Sequence, residues 1–373
     1  MTAGVSGRPN GKHKRSEESQ MVERIRSIIA AGIKAPSGDN CQPWLFKIDG
    51  NRIDLFNCPE RDTSLYNYKQ RASLVAHGAC MENMLITAPK HGCRADISCF
   101  PSPDNDQHVA SINISDAETS EDPLYAAISE RTINRKLYKG GELAPKAADS
   151  IRQAAANSEI PGCSIRILTG EDKIAAADIV ALSDRLVFEN LNLHGFLFDH
   201  IRWNPEEAER TMDGLDIRTL ELAPPDRLLF PLLKNFGLVR FIGMFGATKM
   251  IAANARKLMM SASAAGIITI ADNSAINWLN AGRMLERIWL ETTRQGLAFH
   301  LMTGITLMAQ RVSDGELGEL DSNNISLVKQ ADTLLKRVSG TESPVALLFR
   351  IGTAEAPSTR SLRIPAQVLD NNQ

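Results

Sequence analysis

The sequence has almost no excess of charge of either sign: 42 Lys and Arg face 44 Asp and Glu, a net charge of −2. A general nucleic-acid binder needs a basic surface, so that class is excluded and no nucleic-acid partner is expected. The six cysteines, at 41, 58, 80, 93, 99 and 163, form no Cys-x-x-Cys pair and no His/Cys ligand spacing. They point to reduced, buried thiols in a cytoplasmic protein rather than to a disulfide scaffold or a zinc site. No apolar signal core opens the chain; residues 1–20 are polar and are expected to form a disordered tail. Nucleophile elbow, Walker loop, G-x-G-x-x-G, H-E-x-x-H and EF-hand loop are all missing. With the seven histidines scattered, no dedicated catalytic acid or base and no metal site is expected. A long hydrophobic run is nearly present at residues 228–245, but Pro231, Lys234, Asn235 and Arg240 interrupt it. A central Lys or Arg costs roughly 3 kcal/mol on insertion, so a lid-like amphipathic segment is expected and no membrane partner.

What is present is ample apolar content, 43% of 373 residues, enough for one large or two ordinary domains. The stretch Ala35-Pro36-Ser37-Gly38-Asp39-Asn40-Cys41-Gln42-Pro43-Trp44 joins a helical pattern to a strand pattern. Its two prolines stiffen it, and Gly38 is expected to take a backbone conformation other residues avoid. Ser37, Asn40 and Gln42 then offer a polar edge suited to a flat ligand.

Periodicity predicts a helix over 22–34, with Ile25, Ile28, Ile29 and Ile33 on one face. Strands follow at 45–48 and 52–56 across an Asp49-Gly50 turn. A second helix covers 71–91, closed by Pro89 and Gly92. Strands at 97–100 and 108–114 complete the first part. After an acidic boundary at 115–122 come short helices at 124–130 and 145–157, strands at 164–168 and 264–270, and a helix at 275–295. Residues 297–307 read as extended, and a last strand covers 345–351.

An internal repeat runs through this order. Ile25-Arg26 corresponds to Ile151-Arg152, an offset of 126, with Ala30-Ala31 and Ala155-Ala156 following at 125, and Glu82…Gly92 to Glu286…Gly296, an offset of 204. The unequal offsets place an insertion in the second half, between about 180 and 262. It holds Phe188, Phe196, Phe198, Trp203, Phe230, Phe236, Phe241 and Phe245, which suits either a lid over a pocket or an extra packing layer. Arg131, Asn134, Arg135 and Lys136 put four donors in six residues, a set able to grip phosphate or carboxylate, or simply a solvated basic turn.

Together these motifs resemble the flavin-dependent nitroreductase family. The Pro36-Ser37-x-x-Asn40-x-Gln42-Pro43-Trp44 string is close to that family's loop after its second helix, and Arg131-x-x-x-Arg135 to its phosphate-gripping segment. Ala281-Gly282-Arg283 through Gly296-Leu297, and Phe349-Arg350-Ile351-Gly352 before Pro357 and Arg360, are similar to its later helix and closing strand. The order of parts resembles the long single-chain, lid-bearing, Acg-like branch. The resemblance implies an α+β, nitroreductase-like fold: a tandem pseudo-dimer of two α/β halves, residues 21–120 and 121–373, with a helical lid insertion at about 180–262. It implies one FMN site between the halves, NAD(P)H as electron donor and a nitroaromatic, quinone or similar small acceptor. The alternative is a protein that sequesters flavin beneath a closed lid. Arg131 would hold the phosphate with Arg360 or Arg363, and Arg135 would lie near the N1/O2 edge of the ring. Pro36, Ser37, Asn40 and Gln42 would meet ring and ribityl oxygens, and Thr303 and Gly304 would supply backbone groups near N5. Ile133 stands where that family commonly has a hydroxyl; either Asn134 replaces it or the phosphate grip is weaker. The chain would be a monomer mimicking a dimer, with further pairing left open.

Overall fold

The computed structural model describes residues 11–156 and 160–369. The expected tail at 1–20 lies outside the described residues as far as residue 10. Residues 11–20 are helical, a correction that follows from their Lys, Arg, Glu and Gln content, all good helix formers.

The first half runs α1 (Gly11–Gly32), β1 (Trp44–Asp49), β2 (Arg52–Asn57), α2 (Arg71–Thr87), β3 (Cys93–Cys99) and β4 (His108–Asp116). A turn through Gly50, at φ 62°, closes the β1–β2 hairpin. The connector α3 (Tyr125–Glu130) leads to α4 (Pro145–Ala156) and β5 (Cys163–Leu168). A long excursion follows: α5 (Gly170–Glu189), α6 (Leu191–His200), β6 (Ile201–Arg202), α7 (Pro205–Thr211), β7 (Leu215–Asp216), α8 (Pro224–Leu229), α9 (Phe236–Gly243) and α10 (Ala247–Met260). The chain then resumes with β8 (Ala264–Ile270), α11 (Ala275–Arg294), β9 (Ala298–Leu301), α12 (Gly304–Ser313), α13 (Ser322–Ser339), β10 (Val345–Gly352) and β11 (Val368–Leu369). Among the described residues the fold is thus α+β.

Two sheets share one plan. The first has strand order β1-β2-β4-β3 and the second β5-β8-β10-β9, every neighbour antiparallel. A short turn joins β1 to β2, where residues 169–263 join β5 to β8. The extra chain therefore begins at 169 rather than 180. Its first and last helices, α5 and α10, pack with α12 and α13 into the core on the second half. Only the middle of the excursion forms a separate cluster, around Phe188, Phe198, Ile201, Ile217 and Val239. A second excursion, α12 and α13, lies between β9 and β10. The extended stretch expected at 297–307 is corrected by it: β9 ends at Leu301 and Gly304 opens a helix.

Between the sheets lie α2 and α11, both buried along most of their length; α2 is apolar on nearly every face, whereas α11 is amphipathic and carries Arg283, Glu286 and Arg287. They touch backbone to backbone. A Cβ at Gly78 would stand 1.9 Å from Leu279 O, and one at Gly282 would stand 2.0 Å from Val75 O. Both pairs obey the 204-residue offset, so the contact repeats about a pseudo-twofold axis. One core contains residues of both halves, including Ile25, Phe46, Met81, Trp278, Leu285 and Phe349. Finally, β11 adds parallel to β1, returning the C-terminal segment to the first half.

Candidate functional site

The loop at residues 35–44 is held in a costly backbone. Asp39, Asn40 and Gln42 have φ of 41°, 59° and 53°, whereas Gly38 stays outside the left-handed region, contrary to the role expected for it. Asp and Asn tolerate that conformation; for Gln it costs about 1 kcal/mol or more. The surroundings impose it. Gln42 is fully buried; its Nε2 donates to Asn40 O (3.1 Å) and Met212 O (2.9 Å), and its Oε1 accepts Ile364 N–H (2.9 Å). Its own N–H donates to Ser37 Oγ at 2.9 Å. One side chain thus latches the loop, the excursion and the C-terminal segment together.

Two adjoining cavities meet at this loop. The larger, about 460 Å³, falls in the range of small-molecule sites. It is lined by Pro36, Ser37 and Asp39, by Tyr66, Arg135, Trp289, His300, Thr303 and Gly304, and by Asp184, Phe196, Leu220, Leu222 and Phe230 of the excursion. The smaller, about 230 Å³, is lined by Lys34, Ser37, Asn40, Ser129, Arg131, Thr132, Arg135, Arg360 and Arg363. Pro36, Ser37, Asp39, Ile133, Arg135 and Trp289 border both. Thr303 and Gly304 stand at the start of α12, whose first N–H groups have no intrahelical acceptor.

Two sequence-selected residues line neither cavity. Gln42 is the latch just described. Asn134 donates from Nδ2 to Glu355 O (2.8 Å) and accepts Lys136 N–H on Oδ1 (3.0 Å), while its N–H donates to Phe299 O (2.9 Å). It fixes the Arg131 segment against β9. Its neighbour Thr132 lines the smaller cavity.

The smaller cavity is a cationic chamber. Arg131 is buried, with Nη2 donating to Lys34 O (2.6 Å), Nε 3.3 Å from Glu286 Oε1, and the guanidinium 4.5 Å over the Trp289 ring. Arg363 donates to Asn40 Oδ1 (2.8 Å) and Ala35 O (3.0 Å). Arg360 donates to Ser129 O (2.7 Å) and Glu130 O (2.9 Å), closing the C-terminal end of α3. Burial and then the neighbouring Arg131 charge lower Arg363 to about 9, and burial also lowers Arg131. Burial pushes Glu286 up to about 7 against the pull of Arg131. Arg131 Nε, Arg363 Nε and both carboxylate oxygens of Glu286 make no hydrogen bond. Four guanidinium groups, those of Arg131, Arg135, Arg360 and Arg363, border the cavity with Lys34, against the carboxyls of Asp39 in its wall and Glu286 beside Arg131, and this excess of positive charge fits an added anion. The pseudo-symmetric position is closed differently: Glu82 is paired at 2.9 Å with both Arg283 and Arg287.

The larger cavity holds ionisable groups that motif reading missed. Burial raises Asp39, Asp62 and Asp184, the last to about 7, and holds His300 neutral well below its usual value with help from the Arg350 and Arg135 charges. Asp39 lay inside the highlighted loop. Asp184 carried no distinguishing signal, being one of several polar residues on α5 beside Asp178, Ser183 and Arg185. A buried acid with a raised pKa stabilises the fold when protonated, and that contribution is fully present below about pH 4 and lost as pH rises towards 7. Asp184→Asn is therefore expected to leave stability nearly unchanged at pH 4 and to raise it by about 1–3 kcal/mol at pH 8. Urea unfolding at the two pH values checks this, and a difference independent of pH would place the carboxyl in water.

Comparison with known proteins adds the following. No family model matches the chain. An uncharacterized protein of Mycobacterium tuberculosis is 25% identical over 351 residues, 90% of this chain and 46% of that protein. A protein of the same organism named an NAD(P)H nitroreductase is 24% identical over 196 residues, 51% of this chain and 54% of its own length. Another, named "Putative NAD(P)H nitroreductase acg", is 25% identical over 292 residues, 76% of this chain and 80% of that one. The chain thus spans about half the length of the first two. Among solved structures, the FMN-dependent nitroreductase NfnB of Mycobacterium smegmatis in complex with NADPH is 11% identical, covering 61% of this chain and 86% of that chain at a TM-score of 0.35.

Proposed function

We propose that this homologue of nitroreductase-named proteins holds FMN across the two adjoining cavities and works as an NAD(P)H-dependent oxidoreductase. Its electrons would go to a small electron-poor acceptor such as a nitroaromatic or a quinone. The observation that carries this reading is the pairing of a cationic chamber with an apolar one across shared walls. A phosphate monoester answers the excess positive charge around Arg131, Arg360 and Arg363, and a flat ring suits the chamber bordered by Pro36, Trp289 and Gly304. When bound, the flavin supplies the redox chemistry, accepting hydride and passing electrons on.

The chain's own residues position, polarise and exclude water. Arg135 borders both cavities and donates to Thr219 O at 3.2 Å, so it places a fixed positive charge where the two chambers meet. A cation there favours the added negative charge of a reduced ring. Ser37 Oγ already accepts the Gln42 N–H, which leaves its hydroxyl proton to donate into the cavity. The start of α12 at Gly304 offers backbone donors to the larger chamber. Reducing a quinone or nitro group consumes protons as well as electrons. Asp184 keeps its proton to about pH 7 and lines the chamber, so its carboxyl is placed to supply one. Leu220, Leu222 and Phe230 of the excursion supply an apolar wall that partly covers the chamber.

That closure also favours the second reading, a protein that sequesters flavin with little turnover. The visible spectrum of the purified protein, taken before and after anaerobic mixing with NADPH or NADH, separates them. A yellow protein that bleaches within seconds is the expected result. A yellow protein unchanged over minutes would establish sequestration, and a colourless protein that gains no chromophore from added FMN would overturn both.

A further inference from the structure

Residues 224–250 carry an apolar surface that the proposed site does not use. Leu228, Phe245, Met250 and Met244 are 81%, 78%, 75% and 72% exposed, and Leu229, Leu232 and Phe241 are also largely in solvent. These side chains sit on consecutive short elements that pack on one another: α8, the tight turn Phe230–Lys234, α9 and the start of α10. Neither α8 nor that turn buries a single residue, and α9 buries only Val239. Scattered exposed leucines are ordinary on a soluble protein; a run of seven large apolar side chains on adjoining elements is not.

The charge around them is of one sign. Arg227, Lys234, Arg240 and Lys249 are all exposed, and none makes an ion pair among the described residues, whereas Asp226 is the one acid in the segment. A chain of net charge −2 thus concentrates a net +3 on its most apolar surface. We infer that residues 224–250 form an interfacial anchor that docks on an anionic phospholipid bilayer. Leu228, Leu232, Phe241, Met244 and Phe245 enter the headgroup–acyl boundary, and the four cations meet lipid phosphates.

The competing occupant is a second copy of this chain. A two-fold pairing would set four unpaired cations against the same four, with only Asp226 to offset them. Spanning the bilayer is disfavoured on other grounds: no single described helix is long and apolar enough, and α9 with α10 reaches that length and composition only as a pair bent by 91°. The insertion cost of Lys234 and Arg240 therefore rules out a buried span but not a helix lying in the interface, which keeps its cations in the headgroups. The expectation of no membrane partner is revised accordingly.

The anchor adjoins the larger cavity. Phe230, between exposed Leu229 and Pro231, faces inward and lines the chamber. On the oxidoreductase reading, docking brings the chamber wall to the bilayer surface, where a lipid-dissolved quinone would be at hand. The docking itself does not depend on that reading.

Sedimentation of the full chain with extruded vesicles tests it. The protein is expected to pellet with phosphatidylcholine–phosphatidylglycerol vesicles, to stay in solution with phosphatidylcholine alone, and to be released in part by high salt. The double substitution Leu228→Glu and Phe245→Glu, and separately the triple Lys234→Glu, Arg240→Glu and Lys249→Glu, should each reduce binding by more than about tenfold. All five positions are exposed, so urea unfolding should show each variant folded like the parent. No pelleting with anionic vesicles, or binding unchanged in the variants, would overturn the inference. So would a concentration-dependent dimer abolished by the same substitutions without vesicle binding. Bleaching of the flavin by NADPH is a separate readout, so failure of the anchor and failure of the oxidoreductase reading can be told apart.

Discussion

Arg131→Ala should abolish retention of FMN through gel filtration and weaken binding by about a hundredfold in fluorescence titration. A phosphate loses a planar, two-pronged donor in a buried site, where hydrogen bonds to charged groups are worth about 1.5–3 kcal/mol each. The same substitution should also cost about 3 kcal/mol of folding stability. Glu286 is fully buried and Arg131 is its ion-pair partner, 3.3 Å away, so truncation leaves the carboxyl with only the weaker pull of Arg363. With that charge gone, the Glu286 pKa rises further above its unfolded value. The loss is therefore least at low pH, where the carboxyl is neutral in both states, and grows as pH rises through neutrality. Adding Glu286→Gln separates the two effects. The double variant should recover most of the stability, read by urea unfolding at pH 8, without recovering the flavin. If it recovers both, Arg131 acts only as a structural partner of Glu286 and the phosphate assignment is wrong. Arg131→Lys should retain charge but lose the fork geometry, giving an intermediate affinity.

Gly78→Ala and Gly282→Ala should be the most damaging single-methyl changes in the protein, each costing about 3 kcal/mol or more. At both positions the new Cβ would stand within 2.0 Å of a backbone carbonyl oxygen on the facing helix, and backbone cannot rotate out of the way. The only relief is to separate α2 from α11, which opens the core shared by the halves. Because one separation accommodates both methyl groups, the double variant should cost clearly less than the sum of the singles. Full additivity in a denaturant double-mutant cycle would mean that the two contacts yield independently. Gly195→Ala, on α6 with nothing within 4 Å of its would-be Cβ, is the control and should be neutral or slightly stabilising.

The same helix pair shows where sequence reading works. Glu82 and Gly92 match Glu286 and Gly296 at one offset, and the close contacts at Gly78 and Gly282 obey it too. Repetition is written in the order of residues, so it survives without coordinates. Position relative to distant chain does not. Gln42 and Asn134 carry the amide chemistry of ligand groups, yet both are spent on backbone partners that lie far along the chain, Ile364 322 residues away and Glu355 221 residues away. Thr132, which no motif singled out, lines the smaller cavity.

From the sequence alone came the hairpin at Gly50, the repeated helix and strands, the rigid loop at 35–44 and the arginine pair at 131 and 135. Each depends on local period, turn chemistry or spacing, which neighbouring residues dictate. The tertiary structure decided the rest. It brought Arg363 to Asn40 across 323 residues, began the excursion at 169 and kept α5 and α10 in the core, and left residues 224–250 uncovered. It also put Asp184 in an apolar chamber that raises its pKa. Burial, charge pairing and exposure depend on which distant segments come to lie against a residue, and short-range pattern in this chain holds no record of that.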